Sequence, residues 1–172
     1  VFDGCFVWGE SLMAQTYDAI ASQTLTSDTS EITFNSISGA YTDLIIVADC
    51  QTSGGNTFTL RFNSDSGSNY SQTYLLGDGS TASSSRSSNI SSIYLGDITN
   101  ARMVYIVNVM NYSNTTTYKT ALARQNYAGG SVSARVGLWR STSAITSIRL
   151  APYTAVNLLA GSTATLYGVK SA

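Results

Sequence analysis

The chain has no histidine, one proline, two cysteines, and charged side chains at only 11 % of its 172 positions, against roughly 25 % in an average globular protein. Each shortage excludes something. Without histidine there is no Ser-His-Asp triad, no Cys-His pair and no imidazole ligand for a transition metal. No stretch approaches the ~18 consecutive apolar residues of a membrane-spanning helix. Residues 1–10 are apolar but lack the basic region of a signal peptide. Nothing marks a secretory route, so Cys5 and Cys50 are expected to be two buried free thiols and not a disulfide. The net charge of −1 implies neither a nucleic-acid partner nor membrane insertion.

Acidic residues are missing altogether after Asp97. The first 97 residues carry ten acids and two bases, the remaining 75 seven bases and no acid. Either the two halves interleave in one sandwich and the charges mix, or one edge is acidic and another basic. The second arrangement favours head-to-tail contact between copies.

What the chain has in their place is Ser, Thr and period-two hydrophobicity. In residues 132–150, Val132, Ala134, Val136 and Leu138 fall on one side of a run, with Ser133, Arg135 and Gly137 on the other. A polar Ser-Thr-Ser then leads to a second run anchored by Ile145 and Ile148. Successive side chains of a strand point to opposite faces, so this spacing predicts a half-buried hairpin, with Trp139 at its bend capping one end of a core. The same grammar predicts strands over 18–25, 31–35, 41–49, 57–63, 70–76, 90–95, 102–110, 117–125, 156–159 and 163–169. In 57–63, Phe58, Leu60 and Phe62 point inward and Thr57, Thr59 and Arg61 outward. Leu44 to Val47 is continuously apolar, and 102–110 is apolar on both sides, the pattern of strands covered on both faces. Residues 77–89, rich in Gly and Ser, are expected to be a long mobile loop. The expected fold is therefore all-β: an antiparallel, jelly-roll-like β-sandwich of about 10–12 short strands without a long helix, one domain over 17–172. Residues 1–16, with Phe2, Phe6, Trp8 and Leu12, have no clean period beyond a short helix at 10–15. They are expected to form an apolar arm that docks on a neighbour, or else a plug over the core; the first four named residues are the candidate assembly contacts.

Chemistry-bearing constellations are scarce. Asp43 with Asp49, or Asp65 with Asp78, could be joined by folding into a carboxylate pair, but no spacing selects one and no aromatic flank raises a pKa. Residues 63–69 place oxygen ligands at alternate positions, like half of a calcium loop. Ser68 and Tyr74 stand where such a loop needs Gly and Glu, so an Asx-rich turn is the expected state. No catalytic residue, metal or cofactor is assigned, and the chain is expected not to be an enzyme. Tyrosine is abundant, at 11 copies. Mixed with Ser, Asn and Gly, it makes a surface that binds protein or sugar through rigid rings and adaptable polar groups. Tyr70, Arg86 and Tyr112, on loops 63–70, 77–89 and 111–118, and Tyr74 between the first two are the candidate recognition residues.

The segments TFNSISGAYTDL (33–44), LRFNSDSGSNYS (60–71), NYSNTTTYKT (111–120), GLWRSTSAITSI (137–148) and GSTATLYGVK (161–170) together resemble a family of small structural proteins of tailed bacteriophages, frequent in marine and cyanobacterial phages. The resemblance spans residues 17–172. It implies no catalytic residues. It implies a component of the virion exterior, assembled in the host cytoplasm, that decorates head or tail as an oligomer, a trimer being favoured, in contact with other capsid or tail proteins. The alternative is a tail-fibre module that recognises a host surface glycan.

Overall fold

Twelve strands and no helix make up residues 16–127 and 129–170, which the computed structural model describes. In chain order they are β1 (Tyr17–Thr24), β2 (Ile32–Phe34), β3 (Asp43–Cys50), β4 (Asn56–Phe62), β5 (Tyr70–Gly77), β6 (Ala82–Ile90), β7 (Ile93–Ile98), β8 (Met103–Met110), β9 (Lys119–Tyr127), β10 (Ser131–Trp139), β11 (Ile148–Pro152) and β12 (Thr163–Val169). They form two antiparallel sheets, one of eight strands in the order β1-β12-β3-β8-β9-β10-β5-β6 and one of four in the order β2-β11-β4-β7. Without β5–β6 and β9–β10, eight strands remain in two sheets of four, β1-β12-β3-β8 and β2-β11-β4-β7, and the chain changes sheet at every step except from β4 to β7, which are paired neighbours. That is the jelly-roll arrangement. The two inserted pairs both extend the same sheet.

The core lies between the sheets and follows the period-two pattern. Phe58, Leu60 and Phe62 of β4 are fully buried, as their spacing predicts, against Leu44 and Ile46 of β3 and Tyr105 and Val107 of β8. Phe58 and Tyr105 meet with ring centroids 4.8 Å apart. Trp139 is buried beside Phe62 and stacks on Tyr70. The charges mix: Glu31 pairs with Arg149, Asp49 with Arg102 at 3.3 Å and Asp18 with Lys170 at 2.5 Å. Each pair joins an acid of the first 97 residues to a base of the rest, because strands from the two ends of the chain are neighbours in β1-β12-β3-β8 and in β2-β11. The segregated-charge arrangement therefore loses its basis.

Four local expectations are corrected. Residues 82–90 are not a loop but the edge strand β6, in register with β5 from Tyr70↔Ile90 to Gly77↔Ala82. Both faces of β6 meet solvent, so no hydrophobic period marks it; its partner's backbone and the Asp78 turn specify it. Residues 132–150 are not a hairpin. β10 pairs with β9 and β5, whereas β11 lies in the other sheet between β2 and β4, so 140–147 crosses between sheets. Residues 156–159 form no strand: only Leu158 pairs, in single bridges to Thr29 and Thr52. Finally, β3 is covered on one face only, since Val47 is exposed while Leu44 and Ile46 are buried.

Candidate functional site

β10 is inverted relative to its hydrophobicity. Ser133, Arg135, Gly137 and Trp139 face the interior, and Val132, Ala134, Val136 and Leu138 face outward. The reason lies above Gly137. A Cβ there would stand 2.6 Å from two carbons of Ile93 on β7, so only a glycine lets the small sheet close over this strand. The inward polar groups are matched locally. The Arg135 guanidinium lies 4.4 Å from the Tyr74 ring centroid, a cation–π contact, and its Nε donates to Ser133 Oγ at 3.3 Å. Ser133 donates to Gln125 Oε1 at 3.0 Å, and Gln125 donates to the Asp97 carbonyl at 3.3 Å. Burial lowers the Arg135 pKa, against the nearby negative Asp97.

The outward residues make the large sheet's outer face apolar over most of its width. Leu75, opposite Ala134, is 65 % exposed, Val132 59 % and Val136 48 %. Across β9 and β8, Leu122 stands opposite Val136 and Asn108 opposite Leu122, and Ile45 of β3 lies opposite Asn108. Two shallow grooves cross this face. One, of about 530 Å³, lies among Leu75, Ala82, Val132 and Ala134. The other, of about 480 Å³, lies among Tyr17, Ile45, Met110, Leu122 and Val169, with Asp43 and Arg124 at its margin. Exposed apolar patches of this kind mark surfaces that another surface covers.

The four candidate recognition residues do not converge. Tyr70 opens β5 and is buried. Its hydroxyl accepts from the Phe62 amide at 3.1 Å and donates to the Asp65 carbonyl at 3.1 Å, and burial pushes its pKa up to about 12. Tyr112 is also buried, its hydroxyl donating to the Ser38 carbonyl. Both are core residues with a tethered polar tip and offer a ligand no surface. Tyr74 is half-buried beneath Arg135. Arg86 alone is fully at the surface, on β6 opposite Thr73. Nothing in the sequence separates these tyrosines from surface ones, because each lies beside turn formers. Phe2, Phe6, Trp8 and Leu12, with the arm and the helix at 10–15, lie outside the described residues.

The Asx turn at 63–69 is closed by its own groups. Asp65 Oδ1 accepts from the Gly67 amide at 2.8 Å, and its Oδ2 accepts from Asn69 at 3.0 Å and from Trp139 Nε1 at 2.7 Å. Asp78 caps its own turn through the amides of Ser80 and Thr81 at 2.9 and 2.6 Å. Asp43 and Asp49 stand at opposite ends of β3, about 20 Å apart at ~3.4 Å per residue, against the roughly 5–10 Å of a glycosidase pair. Among the described residues, no three His, Cys, Asp or Glu side chains cluster to hold a metal ion. Cys50 is buried in β3; Cys5 lies outside the described residues. No protein-family model matches the chain, and no curated protein is similar to it.

Proposed function

We propose that the chain is a non-enzymatic structural component of the exterior of a tailed-phage virion. In this reading it assembles with further copies of itself and with neighbouring shell or tail proteins through the outer face of its eight-stranded sheet. The observation that carries the assembly role is a mismatch. β3 and β8 have the apolar sequence of strands covered on both faces, and β10 has an apolar outer side, yet these outer sides are open in the single chain. A covering layer removes that apolar area from water at roughly 25 cal/mol per Å². The low charge of the chain leaves little repulsion to oppose close approach of copies. The virion context rests on the family resemblance of residues 17–172.

The test is gold labelling of intact particles with an antibody against this domain, viewed by electron microscopy. Label on the head supports a decoration role, and particles lacking the protein then lose capsid stability. Label confined to tail or fibre tips supports a tail role. Absence of label, with the protein present in the lysate, overturns the reading.

A further inference from the structure

The outer face of the small sheet carries a different kind of surface. Arg149 of β11 lies directly opposite Arg61 of β4, and like charges at directly opposed positions destabilise a sheet. Glu31 pairs with Arg149. Arg61 makes no ion pair among the described residues; its Nε and Nη2 donate to the carbonyl and hydroxyl of Ser91 at 2.9 and 3.3 Å. A guanidinium has five N–H donors in a planar fork, so both side chains keep donors free. Both line a cleft of about 330 Å³ together with Thr59, Ser30, Tyr153 and Asn157.

Tyr153 is the second observation. It is 54 % exposed, yet it is held in place. Its ring meets Tyr94 edge-on at 5.4 Å, and its amide donates to the Thr57 carbonyl at 2.8 Å and to Asn56 Oδ1 at 3.1 Å. An exposed, prepositioned aromatic ring beside hydroxyl and amide groups is the chemistry of sugar recognition. Its flat face takes ring C–H groups and its neighbours take hydroxyls. An unneutralised guanidinium at the same cleft adds a carboxylate partner, since the planar fork matches a carboxylate in two parallel bonds.

We infer that this cleft binds a saccharide carrying a carboxylate, of the uronic or sialic type, with the carboxylate on Arg61 and the sugar ring on Tyr153. The inference is independent of the virion proposal, because it uses the opposite face of the molecule.

Titration calorimetry of the full chain with trigalacturonate and with sialyllactose tests it, alongside methyl-esterified trigalacturonate, lactose and inorganic phosphate. At least one acidic saccharide is expected to bind, about tenfold or more tighter than its neutral counterpart, a difference of ~1.4 kcal/mol. Arg61→Gln is expected to weaken it about tenfold and Tyr153→Ala about fivefold, as for loss of one charge-assisted bond and one stacking surface. Tyr153 is largely exposed, so that variant keeps its fold even if Arg61→Gln does not. Three results overturn the inference: neither acidic saccharide binds, binding survives in Tyr153→Ala and in a folded Arg61→Gln, or phosphate binds as tightly as the sugar. The last would make the cleft a bare phosphate site.

Discussion

Trp139 donates its indole N–H to Asp65 Oδ2 across 2.7 Å, from the end of β10 to the turn that follows β4. One bond thereby ties the large sheet to the small one at the edge of the core. Asp65→Ala leaves a mostly buried N–H unsatisfied and is expected to cost about 1–3 kcal/mol; Asp65→Asn keeps an acceptor and is expected to cost less. Urea unfolding followed by Trp139 fluorescence, with Trp8 replaced by Phe, measures both.

The same carboxylate makes the fold acid-sensitive. Burial pushes its pKa up, but the bonds from Trp139, Asn69 and the Gly67 amide, with the positive Arg61 nearby, outweigh burial and hold it below the usual carboxylate value. A pKa lower in the folded than in the unfolded state stabilises the protein fully above the unfolded value. That contribution disappears as pH falls through the folded one. Between about pH 5 and pH 2 the wild type is expected to lose more stability than Asp65→Asn. Equal slopes in a pH series of urea melts would remove Asp65 from the account.

Gly137 is the position that lets β7 pack on β10. Gly137→Ala brings a methyl against Ile93 and is expected to cost about 1–3 kcal/mol, the range for an overpacked core. Combining it with Ile93→Ala is expected to cost less than the sum of the two single changes. A double-mutant cycle with strictly additive costs would show that the two residues do not meet.

Val136→Glu and Leu75→Glu add charge to the open outer face. Side chains this exposed are expected to change single-chain stability by no more than about 0.5 kcal/mol, while self-association falls. Sedimentation velocity reads the oligomer, and thermal melting of the dilute protein reads the fold. Association undiminished in both variants would mean that copies meet elsewhere.

Cys50 is buried against the Thr163 carbonyl, and burial, with the negative Asp49 beside it and Arg102 opposing, pushes its pKa up to about 12. The thiolate is the nucleophile. In a Cys5→Ser background Cys50 is therefore expected to resist a disulfide reagent at pH 8 until the protein unfolds. Labelling within the mixing time of the native protein would contradict its burial.

The sandwich was legible because it depends on patterns the sequence displays. Phe58, Leu60 and Phe62 alternate with polar residues, and the structure buries all three. The span of β12 also matches its expected range. β6 was not legible, since a serine-rich strand with both faces in solvent has nothing to alternate. The orientation of β10 was inverted because binary patterning assumes that the apolar side faces the chain's own core. At Val132 and Val136 that side faces out, and the fact that only Gly fits beneath Ile93 is visible only once β7 is in place. The recognition tyrosines failed for a similar reason: Tyr70 and Tyr112 lie beside turn formers, but their hydroxyls are tethered inside. The Arg61–Arg149 opposition required the register of β4 and β11, which no local spacing encodes.

The placement of β12 between β1 and β3 has a consequence for synthesis. The neighbour that both strands need is the last of the twelve described strands to leave the ribosome, so each holds a row of unpaired amides and carbonyls until it emerges. Pairing over so long a loop is slow, and open strands are templates for the wrong partner. The time between the emergence of β1 and the arrival of β12 is thus the interval in which nascent chains are most exposed to aggregation or to holding by a chaperone.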